Sequence, residues 1–149
     1  MNPQLDTQLR HLRLGGMAQA LPVRLEQAKS ADLEPLEFLE LLVEDELTRR
    51  ADRLFARRLK QAGITAVKEF SDFDWSFNPK IPRRQLCDLA TARFVAEHQN
   101  VLLIGPPGVG KSFAAVAISV GAIRAGYRAL IRSVFDLAQD FAEADATDE

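Results

Sequence analysis

Leu5, Leu9 and Leu12 fall at i, i+4 and i+7, one face of a helix, and Leu14, Met17, Leu21 and Leu25 continue the apolar supply beyond Gly15-Gly16. The pattern predicts a helix, a break at the two glycines, and a second helix, with Pro22 near the first turn of whatever follows the break. Ser30-Ala31-Asp32 reads as a loop. Pro35 to Ala62 is the longest helical stretch: Leu39, Val43, Leu47, Ala51, Leu54, Phe55, Leu59 and Ala62 are spaced by threes and fours, and Gly63 is placed to stop it.

The pattern changes at Glu69. Phe70, Phe73, Trp75 and Phe77 are interleaved with Ser71, Asp72, Asp74 and Asn78-Pro79, a composition for an extended segment with turns as far as Ile81. Pro82 suits the first turn of a further helix, whose stripe of Leu86, Leu89, Ala90, Phe94 and Val95 ends before Asn100. Val101-Leu102-Leu103-Ile104 reads as a buried parallel strand, Phe113 to Ile123 as a covered helix closed by Gly126, and Tyr127 to Val134 as a second strand. Ser133 with Asp136 forms an N-cap pair for a last helix through about Ala144, followed by an acidic, fraying end from Asp145 to Glu149.

Between the first strand and its helix stands Gly105-Pro106-Pro107-Gly108-Val109-Gly110-Lys111-Ser112, which fits G-x-x-x-x-G-K-[ST], the phosphate-binding P-loop or Walker A pattern. Phosphate oxygens need several inward-pointing donors and a backbone that can come close, which the glycines allow. On this reading Lys111 reaches the β- and γ-phosphates of ATP, the Ser112 hydroxyl ligates Mg²⁺, and the helix N-terminus adds unpaired N–H groups. The segment from Phe77 to Ile81, which leads into this core, either covers it or lies against the adenine.

Composition narrows the class without deciding it. A 149-residue chain that is 47% apolar and 27% charged can bury one good core or two small ones, and its formal net charge of −2 argues against a general polyanion binder. Cys87 is the only cysteine, so the chain can form no internal disulfide, and His11 and His98 lack partners at metal-ligand spacing. Asp6, Arg10, His11 and Arg13 interrupt any signal-peptide core, and the run from Phe113 to Ile123 is too short to span a bilayer. A cytoplasmic protein without membrane contact is the expectation.

Charge is segregated along the long helix. Glu34, Glu37, Glu40, Glu44, Asp45 and Glu46 load its first half; Arg49, Arg50, Arg53, Arg57, Arg58 and Lys60 load its second. Asp45 with Arg49 and Glu46 with Arg50 are i,i+4 pairs, whereas Arg53, Arg57, Arg58 and Lys60 have no good acidic partner at i−4. Those four are either a solvated face or contacts to a DNA backbone, with no base-reading pattern beside them.

Several stretches together carry a family likeness. They are Leu12 to Ala18 (LRLGGMA), the helix from Phe38 to Arg58 with Glu44-Asp45-Glu46-Leu47 and Arg49-Arg50, Phe73 to Asn78 (FDWSFN), and Asn100 to Ser112. With these the chain resembles, over essentially its whole length, the IstB-like helper ATPases of transposition, AAA+ proteins related to the DnaC helicase loaders. Phe113-Ala114-Ala115 departs from the His-Leu-Ala usual there. The resemblance implies an α/β fold: a helical N-terminal region, residues 1–68, for partner or DNA contacts, then the first part of a P-loop AAA+ core, residues 69–149, with an incomplete parallel sheet. It also implies ATP and Mg²⁺ as cofactors, DNA and a transposase as partners, and a homo-oligomer built through the AAA+ core.

In such a core later strands lie between the P-loop strand and the second one, and hydrolysis needs an acidic strand end and an arginine supplied in trans. No such strand follows Val134 and no arginine follows Arg132. The expectation is therefore a C-terminally truncated, hydrolysis-deficient ATP-binding helper. Two other readings share the motifs: a nucleotide-independent DNA or protein interaction module, and a helicase-loader fragment in replication.

Overall fold

A computed structural model of the chain describes residues 3–77 and 79–147; Asn78, placed in a turn by its sequence, and Asp148-Glu149 of the acidic end lie outside them. Among the described residues the elements are seven helices: α1 (Pro3–His11), α2 (Gly15–Ala31), α3 (Pro35–Gln61), α4 (Arg83–Leu89), α5 (Arg93–Ala96), α6 (Lys111–Arg124) and α7 (Val134–Thr147). The backbone divides into two compact units, residues 1–54 and 55–149, with the boundary inside α3.

The first unit is held by a carboxylate. α2 starts at the glycine pair itself, and no side chain at Leu14 caps it. Glu46 of α3, only 6% exposed, accepts the N–H groups of Gly16 at 2.5 Å and Met17 at 3.2 Å through one oxygen. It takes Arg50 Nε at 2.7 Å through the other. The first N–H groups of any helix lack internal acceptors, and here a neighbouring helix supplies one. Burial pushes the Glu46 carboxyl up, but the hydrogen bonds from Arg50, Gly16 and Met17 outweigh it and leave the group below its ordinary range.

Gly16 has no freedom to be anything larger, because an added Cβ would meet Glu46 Cα and Oε2, both at 2.7 Å. The two helices cross where one has no side chain. Asp45 pairs with Arg24 of α2, Nε to Oδ2 and Nη2 to Oδ1 both at 2.8 Å, rather than with Arg49 as i,i+4 spacing predicts. Arg49 instead donates to the Gly15 carbonyl. Tertiary partners win here because a bidentate fork between helices orders both ions at once. Pro22 also departs from expectation: α2 continues through it, so it lies in the helix interior, where it withholds one N–H from the ladder.

In the second unit Ala62, Ile64, Val120 and Ile123 are buried together, with Phe55, Leu59, Val116 and Ala129 packed around them. The end of α3 thus meets the middle of α6. Gly63, at φ +76°, closes α3. The helix expected from Pro82 to Asn100 is split into α4 and α5 by Ala92 at φ +61°. Beside that break α6 comes so close that a Cβ on Gly121 would overlap the Ala90 carbonyl.

The expected parallel sheet is absent: among the described residues no segment is a strand. Val101–Ile104 and 127–133 carry strand-like sequences but do not pair with each other. The Ile131 N–H donates instead to the Ala62 carbonyl at 3.0 Å, at the end of α3. Along the first segment Val101 and Leu103 are half-buried while Leu102 and Ile104 are 83% and 90% exposed. A strand needs a partner for its backbone groups. With the second segment engaged by a helix end, the α/β expectation gives way to a helical fold.

Candidate functional site

The loop predicted to hold phosphates has two left-handed residues, Gly108 at φ +82° and Gly110 at φ +88°. Such dihedrals cost a non-glycine residue roughly 1 kcal/mol or more. Gly108 faces open space, with no atom within 4 Å of an added Cβ, so the backbone there is accessible to a ligand. Gly110 is the N-cap of α6, and its carbonyl accepts the Ala114 N–H at 2.9 Å. α6 opens directly at Lys111, so its first N–H groups, which have no acceptor within the helix, follow the loop without a spacer.

Lys111 Nζ donates to the Pro106 carbonyl at 2.6 Å, which folds the side chain back along its own loop. Ser112, in the first turn of α6, is exposed. The expected residues are therefore brought together: Gly105 to Gly110 form one loop, and the Lys111 ammonium and Ser112 hydroxyl stand at its helical end. An ammonium held by a neutral carbonyl can exchange that contact for a charged oxygen, a stronger hydrogen bond. Open backbone at Gly108, the Lys111 ammonium and the helix start are donors that fit a polyphosphate, and the Ser112 hydroxyl beside them could serve its divalent counter-ion.

Beside the loop lies a cavity of 230 Å³ whose walls include Phe73, Ile81, Leu86, Leu103, Val109 and Lys111. Phe73 is its aromatic wall. The ring packs edge-on to Phe113 at 5.1 Å and tilted against Trp75 at 4.7 Å between centroids, and Trp75 Nε1 donates to the Phe70 carbonyl at 3.2 Å. Phe113, where the sequence departs from the usual His-Leu-Ala, thus joins the cluster that supports the loop. Of the segment from Phe77 to Ile81, Ile81 lines the cavity while Phe77 is largely exposed. The roles of Phe73 and of α4 were not singled out from sequence, although the spacing of Leu86 and Leu89 behind Pro82 was visible.

Two of the acids after the second apolar segment, Asp136 and Asp140, are committed locally. Asp136 Oδ2 accepts both the N–H and the hydroxyl of Ser133, at 3.1 and 2.8 Å, and these bonds hold its carboxyl below the usual range. Asp140 accepts Arg132 Nε at 3.0 Å. On α3, Arg53, Arg57 and Lys60 are exposed and Arg58 is half-buried; among the described residues none of the four is in an ion pair. Among the described residues no helix is long and apolar enough to cross a membrane.

Comparison with known proteins gives concordant matches. The chain is 43% identical over 125 residues to an insertion-sequence protein of Mycobacterium tuberculosis named for ATP binding, covering 84% of this chain and 50% of that one. It is 39% identical over 127 residues to the protein of insertion sequence IS21 from Pseudomonas aeruginosa named for ATP binding, covering 85% and 48%. A third, from IS5376 of Geobacillus stearothermophilus, is 28% identical over 145 residues, 97% of this chain and 58% of that one. The chain spans about half the length of the curated relatives it matches. Residues 7–148 match the family described as IstB-like ATP binding protein, and the chain belongs to that family.

Proposed function

We infer that this chain binds ATP with Mg²⁺ through Gly105 to Ser112 and serves as the nucleotide-responsive part of a helper in DNA transposition. The observation that carries the reading is the loop itself: two left-handed glycines, open backbone at Gly108, and α6 beginning at Lys111. Gly108, Val109 and Gly110 present backbone to the phosphates. Lys111 leaves the Pro106 carbonyl for the β- and γ-oxygens, Ser112 supplies an oxygen to the Mg²⁺, and the base occupies the apolar cavity beside Phe73. When bound, Mg²⁺ would offset the phosphate charge.

These residues bind rather than hydrolyse. Lys111 and Ser112 position phosphates without activating water, and Asp136 and Asp140 are engaged with Ser133 and Arg132. DNA and a transposase are the partners in this reading, as the insertion-sequence relatives are named for mobile elements, and nucleotide controls assembly of copies through residues 69–149. Calorimetry of Mg-ATP against the 149-residue chain, with Lys111→Ala alongside, tests the site: the variant should lose measurable affinity. Equal affinity in both would remove the loop from consideration.

A second reading is favoured by Arg53, Arg57 and Lys60, exposed and outside any ion pair among the described residues. Here residues 1–68 bind DNA or a protein without nucleotide, and DNA affinity of the full chain is the same with and without Mg-ATP.

A further inference from the structure

The four residues of α4 and its N-cap that line the cavity are Pro82, Gln85, Leu86 and Leu89, at i, i+3, i+4 and i+7. That spacing is one helical face, and such a face turned toward an apolar cavity is ordinarily apolar throughout. It is interrupted at one position, Gln85. Of the residues around this cavity Gln85 and Lys111 alone have polar side chains. Lys111 is held at the loop by Pro106. The Gln85 amide, by contrast, makes no side-chain hydrogen bond among the described residues.

An unengaged amide offers one acceptor and two donors from a single planar group. The N6–N7 edge of adenine presents the complementary pair, an amino donor beside the N7 ring-nitrogen acceptor. Guanine presents two acceptors at the same edge, and an amide cannot satisfy both with its oxygen and nitrogen. We propose that Gln85 is the base-specificity residue of the nucleotide site, its Oε1 accepting from the adenine amino group and its Nε2 donating to the adjacent ring nitrogen. The apolar positions on either side, Leu86 and Leu89, supply area without preference, so discrimination falls to this one side chain. This assignment rests on nucleotide binding at Gly105 to Ser112.

The test is calorimetric titration of the full chain and of Gln85→Leu and Gln85→Arg with Mg-ATP, Mg-GTP and inorganic tripolyphosphate, each protein first checked for native helicity by circular dichroism. Gln85 is exposed, so neither substitution enters the core. The parent chain should prefer ATP over GTP by about tenfold, and Gln85→Leu should bring the two to within about twofold. Gln85→Arg should favour GTP, because a guanidinium pairs with two acceptors. Tripolyphosphate affinity should be the same in the parent and Gln85→Leu. An ATP preference that survives Gln85→Leu would overturn the assignment and leave the phosphate loop standing. A helical parent chain that binds neither ATP nor tripolyphosphate would overturn both.

Discussion

A side chain at Gly110 would collide with the ring of Phe73: a Cβ built there lies 2.8 Å from Phe73 Cε2 and 3.0 Å from Cζ. The loop and the aromatic cluster are therefore fitted to each other at the residue where α6 begins. Gly110→Ala meets two penalties, the collision and a left-handed φ, and should lower stability by about 1–3 kcal/mol. Phe73→Leu in the same chain removes the first and keeps the second, so thermal melts of the double variant should show partial recovery. A Gly110→Ala protein that melts with the parent would show that Phe73 moves aside without cost.

The Glu46 cap predicts a pH dependence of known sign. Its carboxyl is below the ordinary glutamate range in the folded chain, held there by Arg50, Gly16 and Met17 against the opposing effect of burial. The stabilisation is complete above that ordinary range and is lost as pH falls through the folded value. Glu46→Ala should cost about 2–3 kcal/mol at neutral pH by leaving two N–H groups without an acceptor. Urea melts at pH 7 and below pH 4 should show the gap between parent and variant closing in acid; a constant gap would contradict the capping role.

Gly121 makes a separate prediction, because a Cβ there would overlap the Ala90 carbonyl. Backbone cannot rotate away as a side chain can, so Gly121→Ala should push α6 from the turn between α4 and α5 at about 1–3 kcal/mol. Hydrogen exchange should rise at Val120 and Ile123, which share the buried cluster. Unchanged protection at those two amides would mean that the turn absorbs the strain.

If the exposed cations of α3 touch a nucleic-acid backbone, their contribution is electrostatic and depends on salt. Replacing Arg53, Arg57 and Lys60 together by Ala should reduce the slope of log affinity against log salt by about 2–3 on duplex DNA, with little dependence on sequence. The same slope in parent and variant would reassign these residues to a solvated face.

What was legible followed from local rules. The helices were visible because α3 repeats apolar residues every three or four positions, Gly63 stops it, and Ser133 with Asp136 caps α7. The loop from Gly105 to Gly110 and the helix that follows it were visible because the glycines and Lys111 are contiguous. Which face of α3 is covered was not, since period alone does not choose among faces: Phe55, Leu59 and Ala62 pack inward, whereas Leu39, Val43 and Leu47 stay exposed. The i,i+4 pair of Glu46 with Arg50 was legible and forms, but the capping role of Glu46 was not, because the donors it accepts, the Gly16 and Met17 N–H groups, lie about thirty residues away in sequence and are main-chain groups with no signature. The sheet failed for the same reason. Val101–Ile104 has the composition of a strand, but pairing belongs to two segments, and the other is bonded to Ala62.

Trp75 is the only tryptophan in the chain, and its ring lies 4.7 Å from Phe73, which in turn abuts Gly110. The arrangement is an optical gauge already wired to the loop. A ligand bound at the proposed site is expected to change the packing around that indole, so label-free emission is a direct test of occupancy at Gly105 to Ser112 in the unmodified protein. With no second indole to dilute the signal, each change in intensity reports a single place in the fold.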